Sequence, residues 1–156
     1  MRKFEKISFD QFAKDLNERT DVKKLYDELQ TPKRGTVSAA GYDFFTPFSF
    51  TIKPREIVKV PTGMKVMMEK DECLLLIVRS SVGIKYNVRM CNQIGLIDSD
   101  YYDNTRNEGH MWYAIQNEGE SDFVVNKGDR IIQGVFIKYL LCSDEAGQVQ
   151  TRIGKY

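Results

Sequence analysis

With 156 residues and a mass of 18.1 kDa, the chain is long enough to bury one hydrophobic core without disulfide or metal staples, and one domain over 1–156 is expected. Its 23 basic and 22 acidic residues balance, so charge gives no ground for a nucleic-acid or membrane-surface partner. The longest apolar run, Cys73–Val78, is far too short to span a bilayer, and no apolar signal-peptide core follows the charged start at Met1–Lys6. Cys73, Cys91 and Cys142 are scattered and odd in number, and His110 is the one histidine. A zinc site is therefore hard to assemble, and a reduced, cytoplasmic protein with free thiols is the simplest reading.

Residues 2–8 alternate loosely and suit an edge strand. Ser8 with Gln11 three positions on has the form of a capping box, opening a short helix that turns Phe9, Phe12, Ala13 and Leu16 inward. Thr20 is placed to cap a second helix, in which Val22, Leu25, Tyr26 and Leu29 share one face. Thr31-Pro32 ends this helical extension (1–31), because a residue before proline avoids helical geometry. Its apolar faces suit either packing on the domain or on a neighbouring copy, or a protein partner.

From Val37 the texture changes to short β-prone runs between turns. Phe48–Ile52 alternates, and Ile57–Val60, Met64–Met67, Leu74–Val78, Trp112–Gln116, Phe123–Val125 and Ile131–Tyr139 continue the series. Many short strands at near-regular spacing predict an all-β sandwich or barrel.

Four segments carry chemistry. Ala39-Ala40-Gly41-Tyr42-Asp43 places two small residues and a glycine before a carboxylate, the pattern of close backbone approach beside an acid. Arg79-Ser80-Ser81-Val82-Gly83 offers a guanidinium fork, two hydroxyls and amides freed by glycine, a set suited to gripping phosphate. In Gly95-Leu96-Ile97-Asp98-Ser99-Asp100-Tyr101-Tyr102 a carboxylate follows apolar residues and is expected to be half-buried, which tunes an acid toward base work. Taken alone, that stretch also reads as a strand ending in an Asp-rich turn. Gly128-Asp129-Arg130-Ile131-Ile132-Gln133 is a turn into a strand.

In this order the four segments resemble the first four signature motifs of the trimeric dUTPases, over Pro32 to about Leu141. The resemblance implies a jelly-roll-like fold, a homotrimer, and hydrolysis of dUTP to dUMP and pyrophosphate, which limits uracil incorporation into DNA and supplies dUMP for thymidylate synthesis. It implies that Asp98 activates the attacking water and that Asp43 holds Mg²⁺ through water. Arg79, Ser80, Ser81, Gly83 and Gln133 match phosphate-site positions, and Arg130 matches a structural ion-pair member. Asn92, with the backbone at Gly95 and Ile97, matches the uracil-reading hairpin, and Tyr101 matches the ring that stacks on deoxyribose and leaves no room for a 2′-hydroxyl. Val78 stands where the family commonly has proline. Asp103–His110 is longer than the usual turn and looks like the variant of some Gram-positive bacterial and phage members. Trp112 suits either the core or a cover for the base. Arg152 and Tyr156 match the arginine and aromatic of the family's C-terminal arm, whose phosphate-wrapping glycine–hydroxyl segment has no counterpart, so 142–156 reads as a shortened arm.

Two other readings compete. dCTP deaminases share an Arg-Ser-Ser segment, but their proton-moving Glu, three residues before an Asn, is here Ala114 before Asn117. A nucleotide-dependent regulatory protein of phage type is the other.

Overall fold

The computed structural model describes residues 1–145, 147 and 150–152. In chain order its elements are β1 (Lys3–Lys6), α1 (Phe9–Asp15), α2 (Val22–Asp27), β2 (Lys33–Arg34), β3 (Tyr42–Asp43), β4 (Phe50–Ile52), β5 (Ile57–Pro61), β6 (Met64–Met67), β7 (Glu72–Val78), α3 (Ser80–Tyr86), β8 (Val88–Met90), β9 (Gly95–Asp98), a 3₁₀ turn at Ser99–Tyr101, β10 (Trp112–Asn117), β11 (Phe123–Val125) and β12 (Ile132–Lys138). Strands thus dominate, as the alternating runs imply, and the pairings between them are antiparallel. The arrangement is all-β and jelly-roll-like, with α1 and α2 in its N-terminal extension and α3 between β7 and β8.

The largest sheet has the order β2-β3-β12-β7-β9. Its β7 is the apolar run Cys73–Val78 lengthened by one residue, and β-branched and leucine side chains suit a strand paired on both edges. Ile132 pairs with Val78 and Lys138 with Glu72 on one side, while Leu76 pairs with Gly95 and Cys73 with Asp98 on the other. A second sheet, β5-β10-β8, sets Ile115 of β10 into the core. Ile7, Ile52, Met64, Leu74, Leu76 and Ile132 complete the fully enclosed centre.

The N-terminal helices belong to this core: Phe12 is completely buried, and Leu16, Val22 and Leu25 nearly so. Their remaining surface is charged, with Lys14, Lys23, Lys24 and Asp27 outward. Ser8 caps α1, its Oγ accepting from Gln11 N at 3.1 Å. The Gln11 side chain does not complete the capping box; it donates to Asp15 Oδ2 at 3.1 Å. The free Ser8 N–H goes instead to Glu108 Oε2 at 2.9 Å, a partner 100 residues away. Thr20 is not the cap of α2: Asp21 holds that position, with no side-chain cap bond, and the helix ends at Asp27 rather than before Pro32. Leu29 therefore reaches the core from outside the helix. It is admitted by Gly63, where an added Cβ would lie 2.6 Å from Leu29 Cδ1. Phe9, expected inward, is 36% exposed and lies edge-on against Tyr26 with ring centroids 5.4 Å apart.

The segment after Arg79 is α3 rather than an open loop. Asn87, in the left-handed region at φ 54°, closes it by donating its N–H to Gly83 O and Val82 O. With Val82 as its one buried residue, a helix this short carries no readable apolar period.

Because the helical extension fills the core, Phe12→Ala should destabilise the fold by about 3–5 kcal/mol. A thermal or urea melt checks this; an unchanged midpoint would show that the extension packs independently of the sheets.

Candidate active site

The motif residues form two groups, one along β9, reaching the Cys73 end of β7 at Asp98, and one past its Val78 end. A cavity of about 370 Å³ opens between β9, β10 and the 3₁₀ turn, running from Gly95, opposite Leu76, to Asp98, opposite Cys73. Met90, Gly95, Ile97, Met111, Trp112 and Ala114 give it apolar walls, and Asn92, Asp98, Tyr101 and Arg152 stand at its polar edge. The wall at Gly95 is tight: an added Cβ would meet Leu76 Cβ at 3.2 Å and Met90 Cε at 3.3 Å. Asn92 sits exposed in the turn between β8 and β9, where Gln93 takes φ 63°.

The Asp98 side chain is half-buried at 43% exposure, as expected, but Leu96 beside it is 55% exposed and gives it no apolar cover. Its partner is Arg152, whose Nη2 lies 2.5 Å from Asp98 Oδ2 while Nε lies 2.6 Å from Asp100 Oδ1. The same guanidinium carbon stands 5.8 Å from the Tyr101 ring centroid. Trp112 lines the cavity beside His110, and its buried indole Nε1–H has no hydrogen-bond partner among the described residues. Tyr156 and the end of the arm lie outside the described residues.

At the other end of β7, Asp43 is buried and faces two guanidiniums. Arg79 Nε lies 3.3 Å from Oδ1 and Arg130 Nη1 3.3 Å from Oδ2. Arg79 is further held by its Nη1 donating to Arg130 O at 3.0 Å. Gln133 pairs with Asp43 across β12 and β3. Gly41 makes this approach possible, since a Cβ there would fall 2.1 Å from Gln133 Oε1. Ser80 and Ser81 are exposed at the start of α3, and Gly83 lies inside it with its backbone N–H given to Arg79 O at 3.1 Å. The Arg130 ion pair implied by the resemblance is present, and Asp43 shares it.

Asp98 and Arg79 are separated along β7 by the six steps from Cys73 to Arg79, roughly 20 Å at the usual strand rise. One chain therefore holds Asp98 and the Arg79 cluster apart.

Sequence reasoning did not find the enclosure of the loop 103–110. Tyr102 Oη donates to Glu5 Oε2 at 2.7 Å, and this bond with burial pushes the phenol up to about 12. Lys65 Nζ reaches Asp103 Oδ1 at 2.5 Å. Burial works to raise the Glu108 carboxyl, but the Ser8 hydroxyl and N–H and the charge of Lys65 outweigh it, holding Glu108 below the usual glutamate range.

An apolar slot of base size, a phenol at its edge, a carboxylate beside it and paired guanidiniums at a second end define a nucleotide-processing enzyme. The chain belongs to the dUTPase family, whose model matches residues 27–153. It is 38% identical over 129 residues to the deoxyuridine 5′-triphosphate nucleotidohydrolase of Lactococcus lactis subsp. lactis, covering 82% of this chain and 86% of that one. The Desulfitobacterium hafniense enzyme of the same name is 37% identical over 109 residues, 68% of each chain. Among solved structures, the dUTPase of Streptococcus mutans superposes with a TM-score of 0.72 at 38% identity, over 90% of this chain and 98% of that one. A dUTPase of phage phi11 of S. aureus, 18% identical, shares the fold with a TM-score of 0.69 over 92% of this chain and 93% of that one.

The Glu108 contacts carry a pH signature. A folded value below the usual 4.5 means that ionised Glu108 stabilises the fold in full above pH 4.5, and that this contribution is lost as pH falls through the lowered value. The stability difference between the parent and Glu108→Gln should therefore shrink below pH 4.5 in urea melts; a difference constant with pH would contradict the assignment.

Proposed function

We propose that the chain hydrolyses dUTP to dUMP and pyrophosphate, in a site that two or more copies of the chain build together as a homotrimer. The observation that carries this is the separation along β7 of Asp98, opposite Cys73, from the guanidinium cluster at Arg79 beyond Val78. The apolar slot takes uracil, with Asn92 and the backbone of Gly95 and Ile97 reading its edge. The Tyr101 ring takes the deoxyribose face. Arg79, Ser80, Ser81, Gly83 and Gln133 of another copy meet the phosphates, and Arg152 joins them from the chain's last described stretch.

In the reaction a water held by Asp98 attacks the α-phosphorus in line. Its oxygen forms the new bond to phosphorus, its proton passes to the Asp98 carboxylate, and the bond to the bridging oxygen breaks to release pyrophosphate. No covalent intermediate forms. Arg79 offsets the charge that grows on the phosphate oxygens, and because Asp43 already orients it, little reorganisation is needed.

Mg²⁺ fits the Asp43 end only through its water shell. The carboxylate is buried and already faces two guanidiniums, yet two oxygens offer about four lone-pair sites, which leaves acceptors for metal-bound water. Bound with the triphosphate, the ion supplies charge neutralisation. Among the described residues no cluster of three or more acids, cysteines or histidines forms a cage of its own.

Deamination is disfavoured by the cavity wall. Ala114 lies in it, at the position where a deaminase would carry its glutamate, and Asp98, the one carboxylate among the described lining residues, is assigned to the attacking water. The cytoplasm is the compartment that suits the free thiols of Cys73, Cys91 and Cys142, and no described helix is long and apolar enough to cross a membrane. A protein partner at the N-terminal helices would meet a mostly charged outer face, with Phe9 its exposed aromatic, which does not favour the regulatory reading.

Asp98→Asn should leave dUTP binding nearly intact while lowering turnover by about 10²–10⁴-fold, measured by pyrophosphate release; near-parent turnover would remove Asp98 from its role. The shared site has its own check. Asp98→Asn and Arg79→Ala should each be inactive alone, yet after mixing and subunit exchange up to about a quarter of the sites regain both groups. Light scattering should give three times 18.1 kDa. A monomer mass, or no recovery after proven exchange, would refute the composite site.

A further inference from the structure

The loop 103–110 closes on Tyr101, at its phenolic oxygen and at its backbone carbonyl. Asn107 Nδ2 donates to that oxygen at 2.8 Å, and the phenol donates in turn to His110 O at 3.2 Å. Asn107 is 2% exposed and its amide is used at both ends: Nδ2 also reaches His110 O at 3.3 Å, and Oδ1 accepts from Gly109 N at 3.2 Å and Asn104 Nδ2 at 2.8 Å. Asn104 Nδ2 closes the ring of contacts on Tyr101 O at 2.8 Å. Three residues of this loop take left-handed backbone, Asp103 (φ 54°), Glu108 (φ 57°) and Gly109 (φ 86°). At Gly109 a Cβ would stand 2.7 Å from Tyr101 O, so the packing itself demands glycine. Such backbone persists only where surrounding contacts over-determine it.

Those contacts lead to α1. His110 is fully buried; its Nε2 accepts the Gly63 N–H at 2.9 Å, so the proton of the neutral ring sits on Nδ1, which lies 2.5 Å from Asp15 Oδ2. Asp15 is the last residue of α1, and Ser8, its cap, is bound to Glu108. One helix thus grips the loop at both ends. A ring that only filled space beside the cavity would need no hydroxyl, whereas here the hydroxyl is the focus of a buried polar network, which is costly unless satisfied throughout.

We propose that Asn107, His110 and Asp15 are positioning residues for sugar selection. They fix the Tyr101 ring at the cavity edge so tightly that a nucleotide bearing a 2′-hydroxyl is not accommodated by a shift of the ring. This rests on the reading of Tyr101 as the sugar platform. Loosening the network leaves the ring in place but lets it yield, so ribonucleotides gain relative to deoxyribonucleotides.

The test is the ratio of kcat/KM for dUTP to that for UTP, which cancels any loss of folded enzyme. Asn107→Ala, Tyr101→Phe and Asp15→Ala should each lower it by about fivefold or more, the effect of one hydrogen bond, mainly through a lower KM for UTP. Asp15→Asn keeps an acceptor for His110 Nδ1–H and should hold the ratio near the parent's, with thermal melts reporting the folding of every variant. If Asp15→Ala does not fold, Asn107→Ala and Tyr101→Phe carry the test. Folded variants with the parent's ratio, beside a Tyr101→Ala in which it collapses, would overturn the positioning role while leaving the sugar platform standing. A Tyr101→Ala that keeps the parent's ratio would overturn the platform and the inference together.

Discussion

Strand β7 is the constraint on which the site depends. It is hydrogen-bonded on both edges, to β12 through seven residue pairs and to β9 through four. Its direction fixes which motif residues meet and which are held apart. Asp43, Gln133 and Arg79 gather where β3, β12 and the end of β7 run side by side. Asp98 is carried to the far end by β9, whose register against β7 is set by Gly95 facing Leu76. A shift of one residue would turn Asp98 to the other face of the sheet. The geometry that holds Asp98 apart from Arg79 is therefore the same geometry that makes the surroundings of each rigid.

The two halves reach rigidity by different physics. The phosphate end uses charge: two guanidiniums are oriented on one buried carboxylate, leaving a net positive cluster that is held before any anion arrives. Around the Tyr101 hydroxyl the contacts are neutral, from asparagine amides and backbone carbonyls, within a loop whose backbone is partly left-handed and whose outer anchors, Glu108 and Asp15, are carboxylates.

Much of this was legible before the fold was seen, and the misses have physical reasons. Alternation in Phe48–Ile52 and the apolar run Cys73–Val78 led directly to β4 and β7, because strand period and burial are local signals. The four motifs did more than the periodicity, since each couples a residue type to a turn. What stayed hidden was non-local. Glu108 takes the Ser8 amide that Gln11 was expected to share, and His110 meets Asp15 across 95 residues. Neither pairing leaves a trace in spacing. The short strands β2, β3 and β8 and the helix α3 were missed because two to seven residues hold too little pattern to outweigh a turn reading.

The contact between Arg152 and the acids Asp98 and Asp100 links the two ends of the reaction. A guanidinium on the carboxylate proposed to take a proton from water competes with that water for the same lone pairs. Phosphate oxygens offer the same guanidinium a bidentate partner of higher charge, so arrival of the triphosphate would draw Arg152 from Asp98 and free the carboxylate for water. Arg152 is also close to the Tyr101 ring, its guanidinium carbon 5.8 Å from the ring centroid. The exchange needs no hinge in the sheets, only one long side chain changing partners. In the proposed reaction the carboxylate would thus be uncovered where substrate charge is already in place, and water at Asp98 would gain its acceptor when there is a phosphorus to attack.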